Sequence, residues 1–495
     1  MTESSKHDAP IGLTLSVSRQ GHGIDTSPGS SVFDLPIQSS LNSAGNSIGN
    51  GAGSTPQRYP SPNSTLEGNI GNDPSFIVIS GGTGGNAICS AFTNASYVLP
   101  VSDDGGSSSE IIRVLGGPSI GDIRSRLIRL IPYAPPFSPL DAIRRLLAYR
   151  LPAHCSEKEA REEWREIVEG RNILWTGIPN DRKEAIRGFL VYFESELLKR
   201  AHKNFDFRNG SIGNYFLAAA QGFFRSLPSA IFLFSSITNS QASILPVIVT
   251  NHTVTIAAEL EDGRRLVGQC EISHPVPQDL PGINITVSDH PYSPVEGVGE
   301  VIPQPQNVMF EAGTKADYEP LGSRISRLFY INTYGIEIHP SPNPEYLSSL
   351  ASKDVLVYSC GSLWTSIIPC LALRGVASGI ARSSTLRAKV LLLNSKNDRE
   401  TDGYTAVDYI QAIVRTLNSS YNTQPYGLGN VSTTYPVSAF ITDLVYFKGS
   451  MVRVDVKHIT TLGVKCIGLE GEAGHTTSFD AESVRCAISK ILRER

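Results

Sequence analysis

The chain has 495 residues, 40% of them apolar, with 43 basic and 47 acidic side chains and a formal net charge of −4. That length suits two average domains or one large α/β domain with insertions, and the balance of charge gives no general attraction to nucleic acid or to an anionic membrane. Seven scattered cysteines, never spaced C-x-x-C, argue against a disulfide framework or a cysteine zinc site and point to a reducing, cytoplasmic setting. No apolar run reaches the roughly 18 residues of a membrane span, and the first residues lack the positive-then-apolar pattern of a secretory leader.

Residues 1–72 are rich in Ser, Gly, Asn and Pro and have almost nothing to bury, so a disordered tail is expected, its serines leaving room for a phosphorylated regulatory role. From residue 74 a βαβ pattern begins, and 73–495 read as a single domain. Phe76 to Ile79 predicts a strand, Ser80 to Gly85 a tight turn, Asn86 to Phe92 a short helix, and Tyr97 to Val101 a second strand ending in the acidic turn Asp103 to Ser109. Gly121-Asp122-Ile123-Arg124 opens a helix with Ile123, Leu127, Ile128 and Ile131 on one face. Residues 138–207 form a helical insert, in which Asp181 and Glu184 resemble a capping box, and a further helix follows over Asn209 to Ala220.

Val254 to Leu260 and Leu266 to Ile272 flank Asp262-Gly263 and predict a hairpin. Residues 274–318 read as a Pro- and Gly-rich insert. Apolar runs return at Ile325 to Tyr330, Val355 to Tyr358 and Lys389 to Asn394, followed by a helix from Ala406. Val437 to Ile441, Met451 to Val456 and Val464 to Gly468 are strand candidates, and Asp480 to Leu492 is a closing amphipathic helix. Strands alternating with helices predict an α/β fold with a mainly parallel, doubly wound sheet.

The chemistry concentrates at glycine turns. Gly82, Thr83, Gly84 and Gly85 let the backbone approach an anion closely, and a following helix would add its dipole. Gly82-x-Gly84-x-x-Ala87 also fits a dinucleotide fingerprint, with Asp104 about twenty residues on, so an NAD-binding Rossmann protein is one reading and a ligand-free turn another. Asp103 and Asp104 could bind Mg²⁺, hydrogen-bond a ribose, act as general base, or simply face water. Alternation along the strand turns one of them away, and Asp104, beside Gly105-Gly106, is favoured as the ligand-facing acid and metal ligand. Gly121, Asp122 and Arg124 open a helix, where Arg124 could grip a phosphate or join a salt bridge. Gly361, Ser362, Thr365 and Ser366 repeat the glycine–hydroxyl pattern after a strand, and Asn214 reads equally as helix cap or ligand contact. There is no Walker A lysine motif, H-E-x-x-H or G-x-S-x-G, and the ten histidines have no ligand spacing.

Six segments in order, SGGTGG (80–85), VSDDGGSSS (101–109), GDIRSRL (121–127), GNYFLAAA (213–220), GSLWTSIIPCL (361–371) and ETDGYTAVDYI (400–410), resemble the CofD/YvcK-like family of 2-phospho-L-lactate transferase and the bacterial gluconeogenesis factor. The hairpin AELEDGRRLVGQCEI (258–272) is similar to the gluconeogenesis-factor branch. The resemblance implies a three-layer Rossmann-like fold. It implies a nucleotide diphosphate conjugate as ligand, UDP-sugar or GDP-linked, held by the turns at Gly82–Gly85 and Gly361–Ser366. Asn214 would touch the nucleotide, and Asp103 or Asp104 would face the reacting end or Mg²⁺. One branch transfers a phospholactyl group. The other binds nucleotide sugars, with no established reaction, so a sensor acting on protein partners is the alternative to a transferase. A homodimer stays open. Cys360 where the family has proline, and Tyr409 where histidine is usual, set this chain apart.

Overall fold

Residues 73–82, 84–274, 319–419, 434–470 and 478–495 are described by the computed structural model. The expected tail 1–72, Thr83, and the insert from 275 to 318 lie outside the described residues.

The continuous apolar runs become strands buried on both faces, as parallel sheets covered by helices require. In chain order these are β1 (Phe76–Ile79), β2 (Ala95–Leu99) and β3 (Ser243–Pro246). Between β2 and β3 lie α1 (Gly106–Leu115), α2 (Gly121–Arg129), α3 (Pro139–Ala148), α4 (Glu157–Val168), α5 (Asn180–Leu198), α6 (Ile212–Phe224) and α7 (Leu227–Thr238). Next come β4 (Thr255–Leu260), β5 (Arg265–Val267), α8 (Gln269–Ser273), β6 (Ile325–Ile331), β7 (Glu337–Ile338) and α9 (Pro344–Ser352). The chain then runs through β8 (Val355–Tyr358), α10 (Ile368–Leu371), α11 (Val376–Ala381), β9 (Ala388–Leu392), α12 (Ala406–Asn418), β10 (Asp443–Phe447), α13 (Val456–Thr461), β11 (Lys465–Leu469) and α14 (Ala481–Arg493).

Seven strands form one parallel sheet in the order β11-β10-β9-β8-β1-β2-β3. Ile77, Ile79, Val98, Leu356, Tyr358 and Leu391 pack into the larger helical layer. Their alternates Phe76, Val78, Tyr97, Val355, Val357 and Val390 meet Ile88 and Phe92, and also α14 through Val484, Ile488 and Ile491. This is the three-layer, doubly wound arrangement expected from the sequence. A separate antiparallel sheet, β5-β4-β6-β7, grows from the predicted hairpin.

Several expectations are corrected. Asn86 to Phe92 is not a helix; it holds parts of two three-residue 3-10 turns, so no helix dipole stands behind the first glycine turn. Leu266 to Ile272 is strand only to Val267, because Gly268 at φ 91° turns the chain into α8. Val437–Ala439 is a 3-10 turn, and Asp455 caps α13 where a strand was expected to end. Asp181 and Glu184 form no capping box, since Pro179 precedes α5 without a side-chain cap; the box belongs to Ser156 and Glu159 on α4. Among the described residues no helix is long and apolar enough to cross a membrane.

Candidate functional site

The strand order reverses between β1 and β8: from β1 the chain winds to β2 and β3, and from β8 to β9, β10 and β11 on the other side. Open α/β sheets bind ligands in the crevice at such a switch point, outside the strand C-termini. The two glycine turns occupy that position, since one follows β1 and the other follows β8. They touch: a Cβ on Gly84 would lie 2.9 Å from the Gly361 Cα and 3.0 Å from the Cys360 carbonyl oxygen. Gly361 holds φ 134°, outside the range of other residues, and is pinned by Asn394. Its N–H donates to Asn394 Oδ1 at 3.0 Å, and Asn394 Nδ2 donates to its carbonyl at 2.7 Å.

The first turn is built around a guanidinium. Arg126, on α2, is fully buried. Its Nη1 donates to the Gly85 carbonyl at 3.1 Å, and its Nη2 donates to Ser80 Oγ at 3.0 Å and the Gly81 carbonyl at 2.9 Å. The cation also stands 4.9 Å from the centre of the Tyr97 ring. One helical turn earlier, Asp122 accepts the Gly82 N–H and feels the charge of Arg126. Gly82 has no room for a side chain because Asp122 fills that space, and Gly81 is reserved in the same way for Ser366.

Asp103 approaches the same helix start: a Cβ on Gly121 would meet Asp103 Oδ2 at 2.8 Å and Ser108 Oγ at 2.6 Å. Asp103 and Asp122 form a half-buried carboxylate pair. Burial, and then the charge of Asp122, holds Asp103 well above the usual carboxylate range despite the Gly105 N–H donated to it at 3.0 Å. Asp122 is raised less, since burial is opposed by Gly82 and Arg126. Asp104 goes elsewhere. Its Oδ1 accepts the Cys270 N–H at 2.8 Å in the first turn of α8, and Gly268 leaves space for its other oxygen. Alternation therefore separates the two acids as expected, but the favoured one is reversed: Asp103 faces Asp122 and the glycine turns, and Asp104 ties the antiparallel sheet to the parallel one.

The second turn is organised by a buried acid that sequence reasoning missed. Glu400 accepts the N–H groups of Trp364 and Thr365 at 3.0 and 3.2 Å, the Thr365 hydroxyl at 2.6 Å and the Ser273 hydroxyl at 2.7 Å. Burial, then the charge of Asp398, raises its pKa. Thr365 is thus committed internally and is itself buried, whereas Ser362 begins the turn and Ser366 faces Gly81. Asn214 is also occupied: its Nδ2 donates to Ser107 Oγ at 2.8 Å, and its Oδ1 accepts from Arg124 Nε at 3.3 Å. That geometry makes Asn214 a positioning residue for Arg124.

Gly82, Gly84, Gly85, Gly121, Asp122, Asp103, Gly361, Ser362 and Ser366 thus gather at the switch point, with Arg124 on the opposite flank of α2 from Arg126. Thr83 is outside the described residues. Arg126 and Glu400 both lay within segments already singled out, and the legible signal was a charged residue inside an otherwise apolar helical face and at the head of ETDGYTAVDYI. Among the described residues, no three His, Cys, Asp or Glu side chains converge as a metal cage.

A family model described as 2-phospho-L-lactate transferase CofD matches residues 76–469. The uncharacterized protein YNL011C of Saccharomyces cerevisiae is 35% identical over 427 residues, covering 79% of this chain and 94% of that protein. A gluconeogenesis factor of Halalkalibacterium halodurans is 22% identical over 343 residues, covering 68% of this chain and 72% of its own length. The gluconeogenesis factor of Bacillus subtilis is 22% identical over 408 residues, covering 80% and 91%. A solved structure of a UPF0052 family member from Bacillus halodurans superposes with a TM-score of 0.52 at 20% identity, covering 84% of this chain and 99% of that one, which shows the fold. Matched along most of its parallel sheet and both glycine turns, the chain belongs to the CofD family of 2-phospho-L-lactate transferase.

Proposed function

We propose that the switch-point crevice binds a nucleotide diphosphate conjugate, a UDP-sugar or a GDP-linked compound, and transfers its phosphoryl-linked group to an acceptor hydroxyl in a reducing, cytoplasmic setting. The observation that carries this reading is the meeting of two glycine turns with the Asp103–Asp122 pair at one helix start. A carboxyl raised toward neutrality suits general base work, which favours pKa values near the working pH. In that role Asp103 takes the proton of the acceptor hydroxyl as its oxygen bonds to phosphorus. The bond from phosphorus to the bridging oxygen breaks, and the nucleoside monophosphate leaves with that electron pair. Asp122, held by the Gly82 N–H and Arg126, stays the more acidic partner.

Mg²⁺, which the family resemblance implies, fits the donors present. It takes one or two carboxylates together with phosphate oxygens and water, and Asp122, the more acidic of the pair, would hold it while Asp103 stays free as the base. Such an ion would neutralise charge on the phosphoryl oxygens. A second reading, a nucleotide-sugar sensor acting on protein partners, is favoured by Glu400, whose hold on two N–H groups of the second turn leaves fewer donors for a transition state.

Calorimetric titration with UDP-sugars, GDP conjugates and NADH, followed by product analysis with Mg²⁺, tests the proposal. Binding of a nucleotide conjugate but not NADH is expected, with release of nucleoside monophosphate if the chain is an enzyme. Tight NADH binding with no response to nucleotide conjugates would return the site to an ordinary dinucleotide fold.

A further inference from the structure

We infer that the groove where α1, α5 and α6 end is a docking site for an acidic protein segment that carries one bulky apolar side chain. The groove is separate from the crevice and its ligand: it opens at the last turn of α1, whereas Asp103 precedes the first.

The groove arises from the way its helices finish. After Leu115, α1 gives way to Gly116 and Gly117 at φ 78° and 91°, values that other residues rarely adopt. A Cβ on Gly116 would meet nothing, so one wall is bare backbone. Ile111, Ile120, Phe193 and Ala219 are buried beneath it. The volume is about 150 Å³, space for one benzene-sized group rather than for a nucleotide. The rim is apolar as well. The buried run of α6 ends at Ala220, so the last turn of that helix leaves Phe223 58% and Phe224 41% exposed. The Phe223 ring stands edge-on to Tyr192 at 5.7 Å, and Tyr192 lines the groove. On the α5 side Leu198 is 67% exposed. Exposed apolar side chains around a ring-sized pocket offer an anchor residue of a partner a desolvated seat.

Charge selects that partner. Arg200 and Arg225 line the groove, with Glu196 as the one carboxylate among its lining residues. Glu196 is shared between Lys199 at 2.6 Å and Arg200 at 2.8 Å. Arg225 has no carboxylate partner among the described residues; its carbonyl accepts the Asn251 Nδ2 at 2.8 Å. Lys203 stands alongside, its Nζ donating to the Arg113 carbonyl at 3.2 Å. Arg113 and Arg208, nearby, are answered by Glu110 and Asp206. Lys199, Arg200, Lys203 and Arg225 therefore surround a single acid, Glu196. A second copy docking through the same face would set these cations against themselves. An acidic segment meets them with opposite charge while its apolar side chain fills the pocket.

The test uses a fluorescein-labelled peptide with a Leu-Phe centre flanked by glutamates, titrated by anisotropy into the full chain, Arg225→Glu, Phe223→Ala and the control Lys457→Glu, an exposed change on α13 at the other edge of the parallel sheet. Melting temperatures are recorded for each, and a peptide with lysines in place of the glutamates is run beside it. The wild type and Lys457→Glu are expected to bind the acidic peptide and not the basic one, more weakly as salt is raised. Arg225→Glu, which turns an attraction into a repulsion, should weaken binding by about tenfold, and Phe223→Ala by about fivefold or more. Should Phe223→Ala fail to fold, Arg225→Glu carries the comparison. No binding by the wild type, equal binding of the two peptides, or equal affinity in the wild type, Arg225→Glu and Phe223→Ala overturns the docking site. A wild type that sediments as a dimer, and as a monomer once Phe223 is replaced, would give the face to a second copy and overturn it as well.

Discussion

Replacing Arg126 with Met keeps the length of the side chain and removes its charge and donors, so it asks whether the first glycine turn is held from within. The guanidinium makes three hydrogen bonds to the turn at 2.9–3.1 Å and is fully buried. Hydrogen bonds from a charged donor contribute about 1.5–3 kcal/mol each, but they share one side chain and do not add. Two carbonyls, at Gly81 and Gly85, would lose their partner in a buried position. Removing one member of a buried charged network costs about 3–5 kcal/mol, and Arg126→Met is expected to lie in that range. Urea unfolding at pH 7 measures the loss. A second readout follows from Asp122: without the neighbouring cation its carboxyl should titrate still higher, visible by carbon NMR of the aspartate side chains. A loss below about 1 kcal/mol, with Asp122 unmoved, would refute the account, since so small a change is typical of surface substitutions.

The remaining predictions concern the acid pair and the contact of the turns. Asp103 has a folded pKa above its unfolded value, so the folded chain holds more protons than the unfolded one and stability falls as pH rises through the raised range. Asp103→Asn should therefore gain on the order of 1 kcal/mol or more over wild type at pH 8 and little or nothing at pH 4, by urea unfolding at both; an equal effect at the two pH values would contradict the pairing with Asp122. Gly84→Ala places a carbon against the backbone of Gly361 and Cys360, so the turns must separate, at a cost of about 1–3 kcal/mol with loss of conjugate binding. Normal melting and binding would show that the two turns do not need their contact.

The parallel sheet was legible because its strands are short apolar runs buried on both faces, a pattern that turn residues bound clearly at Ser80 and Ser359. Helices with a regular apolar stripe, such as α5 through Ile186, Leu190, Phe193 and Leu197, were legible for a related reason. Failures arose where a distant group decides a local shape. Gln269 to Ile272 alternates like a strand, yet Asp104 caps it as a helix from 166 residues away. The bearings of Asp103 and Asp104 depended on α2 and α8, which no local pattern places. Thr365 and Asn214 read as helix caps or ligand contacts because their partners, Glu400 and Ser107, arrive from other segments.

The five-residue α8 is gripped at both ends by remote acids, Asp104 at its start and Glu400 through Ser273 at its end, across sequence separations of 166 and 127 residues. Chains dominated by such distant pairings close them late, because loop-closure entropy comes before the contacts that reward it. The crevice is therefore finished only after residue 400 has left the ribosome and found its place. A nascent chain stopped before that point already contains the first glycine turn, the acid pair and Arg126, yet it lacks the clasp that sets the second turn, so the crevice takes its final shape as one of the last events of folding.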